Sequence, residues 1–244
     1  MPIPHHVIIL GCGRSGTSIF GELFEHLPHY TYHSEPPFAD LSSYDYSAPV
    51  AIKVPKESAG FTCSPGLSFP WPTLLEIVPE PRTVYWQVRH PLDTICSLRV
   101  GIAKQWGHHP KPPDWRAWLH RPLLERCAHH WDYINSVGWA TVKEQVVISR
   151  FEDMLANPRM FADRVAQRVQ PDATQHAAAL AAWAQRVQNT NNKHFKEAKT
   201  SREYARADHT VRVDRWKENL SEADLVKVIP IVRSTAAQHG YYLR

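Results

Sequence analysis

The chain has 244 residues, enough for one α/β domain with a substantial core or at most two small ones. Hydrophobic residues make up 43% and charged residues 21%, the ordinary balance of a globular protein in water. A net charge of +4 and a pI near 8.9 suit a polyanionic small ligand, and no basic run or basic–aromatic interleaving points to nucleic acid.

Cys12, Cys63, Cys96 and Cys127 lie far apart, with no C-x-x-C pair and no zinc-type Cys/His spacing, so a reduced, cytoplasmic setting and no metal are expected. Val7 to Leu10 is too short an apolar run for a signal peptide. Nothing approaches the roughly 20 apolar residues needed to span a membrane.

In chain order, His6 to Leu10 reads as a strand rich in β-branched residues. A glycine-rich turn follows, Gly11-Cys12-Gly13-Arg14-Ser15-Gly16-Thr17-Ser18, and Ile19 to Leu27 reads as a helix. A strand, such a turn and a helix N-terminus together make an anion site, because backbone N–H groups and the helix dipole favour negative charge there. The spacing nearly matches the nucleotide P-loop, but Thr17 stands where that loop has lysine, and the cation is Arg14.

Tyr30 to His33 reads as a second strand, stopped at Ser34-Glu35-Pro36-Pro37, and Val50 to Val54 as a third, broken by Pro55. A Gly/Pro/Ser-rich loop from Glu57 to Pro72 leads to a helix over Thr73 to Val78. Arg82 to Arg89 has the pattern of a buried parallel strand, and Leu92 to Arg99 that of a helix. The irregular stretch from Gly101 to Pro113 suggests a lid, taken over residues 99–120 as acceptor-side. His108 and His109 within it read as solvated loop histidines, and Trp106, Trp115 and Trp118 as core anchors.

Leu123 to Val137 is helical, Val146 to Arg150 a strand, and Phe151 to Met154 a turn whose acids Glu152 and Asp153 cap a helix or brace the cleft. Helices near Arg159 to Val169 and Asp172 to Val187 precede a polar stretch from Asn189 to Val213. The last helix starts behind Ser221, with Asp224 completing a capping box, and Pro230 is expected to kink or end its first part.

Strands alternating with helices imply an α/β fold: a P-loop-like central parallel sheet flanked by helices, in a single domain over residues 1–244. Ligands bind beyond the carboxyl ends of such strands. The anion turn, Glu35, Lys53 and Arg89 all follow strands, so they are expected in one cleft.

Two motifs then carry a family resemblance. Val88-Arg89-His90-Pro91-Leu92-Asp93-Thr94-Ile95-Cys96-Ser97 resembles the 3′-phosphate motif of the sulfotransferases, whose donor is 3′-phosphoadenosine 5′-phosphosulfate (PAPS). Gly13-Arg14-Ser15-Gly16-Thr17-Ser18 resembles the same family's 5′-phosphosulfate loop, in the arginine variant found among bacterial and protein-tyrosine members. Arg150-Phe151-Glu152-Asp153-Met154 with Asn157-Pro158 is similar to a further family segment. Arg215-Trp216-Lys217-Glu218-Asn219-Leu220-Ser221, with Gly240-Tyr241, is similar to its C-terminal pattern.

The resemblance implies transfer of a sulfuryl group from PAPS to a hydroxyl or amine of a small-molecule, sugar or lipid acceptor, releasing adenosine 3′,5′-bisphosphate (PAP). Gly13, Arg14, Ser15, Gly16, Thr17 and Ser18 would hold the 5′-phosphosulfate. Arg89 and Ser97 would hold the 3′-phosphate, with Arg212 and Arg215 closing over it. Glu35, in an E-x-x-F context, matches the base of the protein-tyrosine and heparan members, with His33 in reserve. Where the small-molecule members carry a basic histidine this chain has Pro55. Lys53 or Lys56 would contact the sulfonate. The alternatives are a P-loop kinase or nucleotidase and a non-catalytic polyanion-binding module.

Overall fold

The computed structural model describes residues 4–55, 71–103, 106–169, 176–189 and 213–244. Lys56, Arg212, most of the Gly/Pro/Ser-rich loop and residues 190–212 of the polar stretch lie outside the described residues.

Five strands form one sheet: β1 (His6–Gly11), β2 (Thr31–Ser34), β3 (Val50–Lys53), β4 (Arg82–Val88) and β5 (Val146–Arg150). Their spatial order is β2-β3-β1-β4-β5 and every pairing is parallel. Parallel neighbours cannot be joined by tight turns, so the chain crosses back through helices. These are α1 (Thr17–Glu25), α2 (Trp71–Ile77), α3 (Pro91–Ala103), α4 (Trp115–Trp118), α5 (Leu123–Tyr133), α6 (Phe151–Ala156), α7 (Pro158–Val169), α8 (Ala177–Asn189), α9 (Trp216–Asn219) and α10 (Glu222–Gln238). The α/β fold with a central parallel sheet flanked by helices is present as expected.

β1 lies at the centre and is buried along its whole length. Its side chains alternate between two cores, as a period of two requires. Val7 and Ile9 join Tyr85, Phe20, Phe161 and Trp183 on the α1–α7–α8 face. Ile8 and Leu10 join Trp86, Ile95, Trp131 and Val232 on the α3–α5–α10 face. Burial on both faces explains the apolar run Val7 to Leu10 in β1 and the buried-strand pattern of β4.

Several local expectations change. Phe151 to Met154 is no simple turn: it opens α6, because Phe151 and Met154 both find core contacts one helical turn apart, with Glu152 and Asp153 in the first turn. α3 runs four residues beyond Arg99, to Ala103. Pro230 sits inside α10 without ending it. The ring lies on the solvent side, and the carbonyl that loses its partner belongs to Val226, which is 74% exposed and open to water. The Ser221–Asp224 capping box is formed as expected.

The sheet and the turn after β1 meet at Gly11, which has φ 142 and pairs with Gln87 of β4. A Cβ there would collide with the Gln87 carbonyl oxygen. Gly11→Ala is therefore expected to destabilise the protein by about 1–3 kcal/mol, read as a lower urea midpoint at unchanged slope.

Candidate active site

The turn between β1 and α1 lies directly on α6. Gly16 takes φ 90, and a Cβ at that position would run into the Phe151 ring. α1 then begins with no side chain capping its first amides and no acid in its first turn. Those donors and the positive end of the helix dipole are open to an anion. The Ser15 hydroxyl is fully buried and has no hydrogen-bond partner among the described residues. A buried hydroxyl in that state costs about 1–3 kcal/mol, which an anion in the turn would offset. Arg14 occupies φ 69, and its guanidinium pKa is lowered by burial and by the nearby charge of Arg215.

A second cationic cradle forms where β4 gives way to α3. Arg89 is 5% exposed and donates from Nη1 to the Arg14 carbonyl at 3.1 Å and to Ser97 Oγ at 3.4 Å. Its guanidinium lies 4.5 Å from the Phe151 ring centroid. Arg215 donates to the same Ser97 Oγ at 3.3 Å. Burial pushes the Arg89 pKa down to about 10; Arg215 and Arg14 act the same way, and Asp93 and Glu152 oppose them.

Two carboxylates hold this second cradle in shape. Buried Asp93 accepts the Asp214 and Trp216 backbone N–H groups, both at 2.9 Å, which fixes Arg215 between them. Burial also raises the Asp93 pKa. Glu152 accepts the His90 N–H on one oxygen and the Tyr241 hydroxyl on the other, each at 2.8 Å. His90 stacks parallel to Trp216, with ring centroids 5.9 Å apart.

Across the cleft, Lys53 ends β3 and is 3% exposed. Its Nζ donates to Glu35 Oε1 and, at 3.0 Å, to Ser18 Oγ in the first turn of α1. Glu35 follows β2 at φ 52, with its side chain 44% exposed. The His33 ring stacks on Tyr44 at 4.1 Å. Thr17 is buried at the start of α1.

The structure thus brings Arg14, Ser15, Gly16, Arg89, Ser97 and Arg215 together through contacts on the turn, and Ser18, Lys53 and Glu35 through a second set. Asp93 and Tyr241 were not singled out as site residues in the sequence. An acid in the first turn of the helix behind Arg89 is the signal that Asp93 offered. Glu152 braces the cleft.

His108 departs from the solvated reading. Its ring packs on the turn, so that a Cβ on Gly13 would stand 3.1 Å from Nδ1. It also tilts against buried His130, 5.8 Å between centroids, whose Nδ1 accepts from Trp106 Nε1 at 3.2 Å. Burial lowers the His108 pKa to about 4, with Arg14 and His109 adding to the effect and Glu35 opposing it. Trp106 is a fully buried core anchor, as expected.

No protein-family model matches the chain, and no curated protein matches it in sequence. Among solved structures, the crystal structure of mouse sulfotransferase SULT7A1 complexed with PAP superposes with a TM-score of 0.51 over 97% of this chain and 84% of that one. The fold is that of a sulfotransferase. At 12% identity the likeness concerns the path of the chain. The sulfotransferase fold here carries both cradles at the carboxyl edge of its sheet, in the loops after β1 and β4.

A neutral, half-buried His108 has a definite pH signature. The unfolded chain takes up a proton as pH falls through 6.5, and the folded chain does so only near 4, so stability is lost on acidification across that window. In His108→Asn the fall in urea-derived stability between those pH values should be shallower by up to about 1.4 kcal/mol per pH unit. An unchanged slope would show that the folded chain does not hold His108 neutral.

Proposed function

We propose that this protein is a sulfotransferase that moves a sulfuryl group from PAPS to a hydroxyl or amine of a small-molecule, sugar or lipid acceptor in the cytoplasm. The observation that carries the reading is the presence of two cationic cradles in one cleft, one built on Arg14 and the turn, the other on Arg89 and Arg215 around Ser97. A donor phosphorylated on both the 5′ and 3′ sides of its ribose needs two such cradles, whereas the polyphosphate of ATP needs one. The fit is supported by the unpartnered Ser15 hydroxyl and the uncapped start of α1. The mouse protein of like fold was crystallised with PAP.

On this reading Gly13, Arg14, Ser15, Gly16, Thr17 and Ser18 hold the 5′ side, and Arg89, Ser97, Arg215 and Arg212 the 3′ side. PAPS, when bound, supplies the sulfuryl group and a phosphate leaving group. Arg14, always charged and able to grip two oxygens, stabilises the charge that grows on that phosphate. Lys53, fixed between Ser18 and Glu35, neutralises charge at the sulfuryl oxygens. Glu35 takes the proton from the acceptor as the general base. The protein's own cations do here what a metal ion shares in phosphoryl transfer. A P-loop kinase would need lysine where Thr17 stands and gives Arg89 and Ser97 no task. A non-catalytic polyanion binder gives the Lys53–Glu35 pair none.

Calorimetry with PAP and with ATP, each with and without Mg²⁺, tests the donor. PAP should bind tightly without metal, and Arg89→Ala should weaken it by about 10–100-fold, the worth of a charge-assisted hydrogen bond. Mg²⁺-dependent preference for ATP would overturn the proposal.

The roles within the cleft separate kinetically. Glu35→Gln should keep PAP affinity and lose about 10²–10⁴-fold in sulfate transfer. Arg14→Ala should lose about 10²–10³-fold, equivalent to about 2.7–4 kcal/mol of barrier. Full turnover in Glu35→Gln would transfer the base to His33 or another group.

A further inference from the structure

A groove of about 590 Å³ opens between the edge strand β5 and α7, and no residue of either cradle lines it. Its floor holds two hydroxyls in an unusual state. Tyr85 and Ser149 are 4% and 6% exposed, both line the groove, and neither hydroxyl has a hydrogen-bond partner among the described residues. The β4–β5 register pairs Tyr85 with Val147, two residues before Ser149, so the two side chains stand on one face as near neighbours. Buried polar groups are nearly always satisfied, and two orphans side by side under one groove point to something that satisfies them.

The rest of the lining says what that is. Phe161 and Val165 supply an apolar wall from α7. Arg164 and Arg168, one helical turn apart and both exposed, add two cations with no carboxylate paired to them among the described residues. Arg168 is near enough for its charge to act on the phenol: burial pushes the Tyr85 pKa up to about 12, and the Arg168 charge opposes that rise. Asp153 also stands at the rim, but Arg164 and Arg168 leave the lining net positive. The volume is that of a small-molecule site.

We propose that this groove binds a small organic anion, with its apolar body against Phe161 and Val165 and its acidic group held by Arg164, Arg168 and the Tyr85 and Ser149 hydroxyls. The site is separate from the nucleotide cleft and does not rest on the PAPS reading.

The probe for the test is 8-anilinonaphthalene-1-sulfonate, an apolar sulfonate whose fluorescence rises on binding. Titration of the full chain should saturate at one site. The double variant Arg164→Ala/Arg168→Ala, altered only at exposed positions, should bind at least tenfold more weakly with an unchanged unfolding midpoint. Tyr85→Phe should weaken binding about threefold or more, and Arg215→Ala, in the other cleft, should leave it unchanged. Binding that does not saturate, that survives the double arginine variant or Tyr85→Phe, or that is lost in Arg215→Ala would overturn the proposal.

Discussion

Two guanidinium groups that share one serine hydroxyl, with a third close by, set the terms for the whole cleft. Arg89 and Arg215 both donate to Ser97 Oγ, and Arg14 is near enough for its charge and theirs to act on one another. Like charges at such range repel by a few kcal/mol even at an effective dielectric near 20. The fold balances this with two carboxylates that do not simply neutralise the arginines. Asp93 gives its oxygens to backbone amides of the segment carrying Arg215, and Glu152 gives its own to His90 and Tyr241. The acids hold the scaffold in place and lower the local potential, while the aromatic face of Phe151 takes the underside of Arg89. Such an arrangement is stable as a protein and becomes more so with an anion in it.

The backbone carries a related constraint. Arg14, Glu35 and Val54, none of them glycine, adopt φ of 69, 52 and 32. Such positions persist where surrounding structure over-determines them, and they cluster at functional sites. Here the sheet does the determining. The Glu35 N–H donates to the Lys53 carbonyl, and the Val54 N–H to the Ile9 carbonyl, both at 2.9 Å, which carries the ladder past the formal strand ends. The register therefore fixes where the acid and the lysine stand relative to the turn after β1.

What could be read from the sequence follows from this. β1, its turn and α1 were legible because strand period, glycines and helix start are all local. Arg89 and Ser97 were legible because their spacing along one strand and helix encodes their meeting. Asp93 was present in the same motif, but its role depends on Asp214 and Trp216, 121 and 123 residues further on. His108 read as a solvated loop residue because a loop's composition does not say that Gly13 leaves room for an imidazole. α6 was missed because a six-residue helix has too few turns for its period to stand out.

The Lys53–Glu35 pair differs in kind from a surface ion pair. Lys53 is almost wholly removed from water, where an ammonium without a counter-charge tends to lose its proton. Ser18 offers a neutral acceptor, whereas Glu35 offers a carboxylate whose charge offsets that of the buried ammonium. On the sulfotransferase reading an anionic donor competes with Glu35 for that ammonium. Readiness of the base would then be tied to arrival of the donor, since the carboxylate becomes the stronger base as Lys53 turns to the incoming charge. In a module that merely bound polyanions, a carboxylate in this place would oppose the ligand and contribute nothing, and that contrast is why the pair favours catalysis.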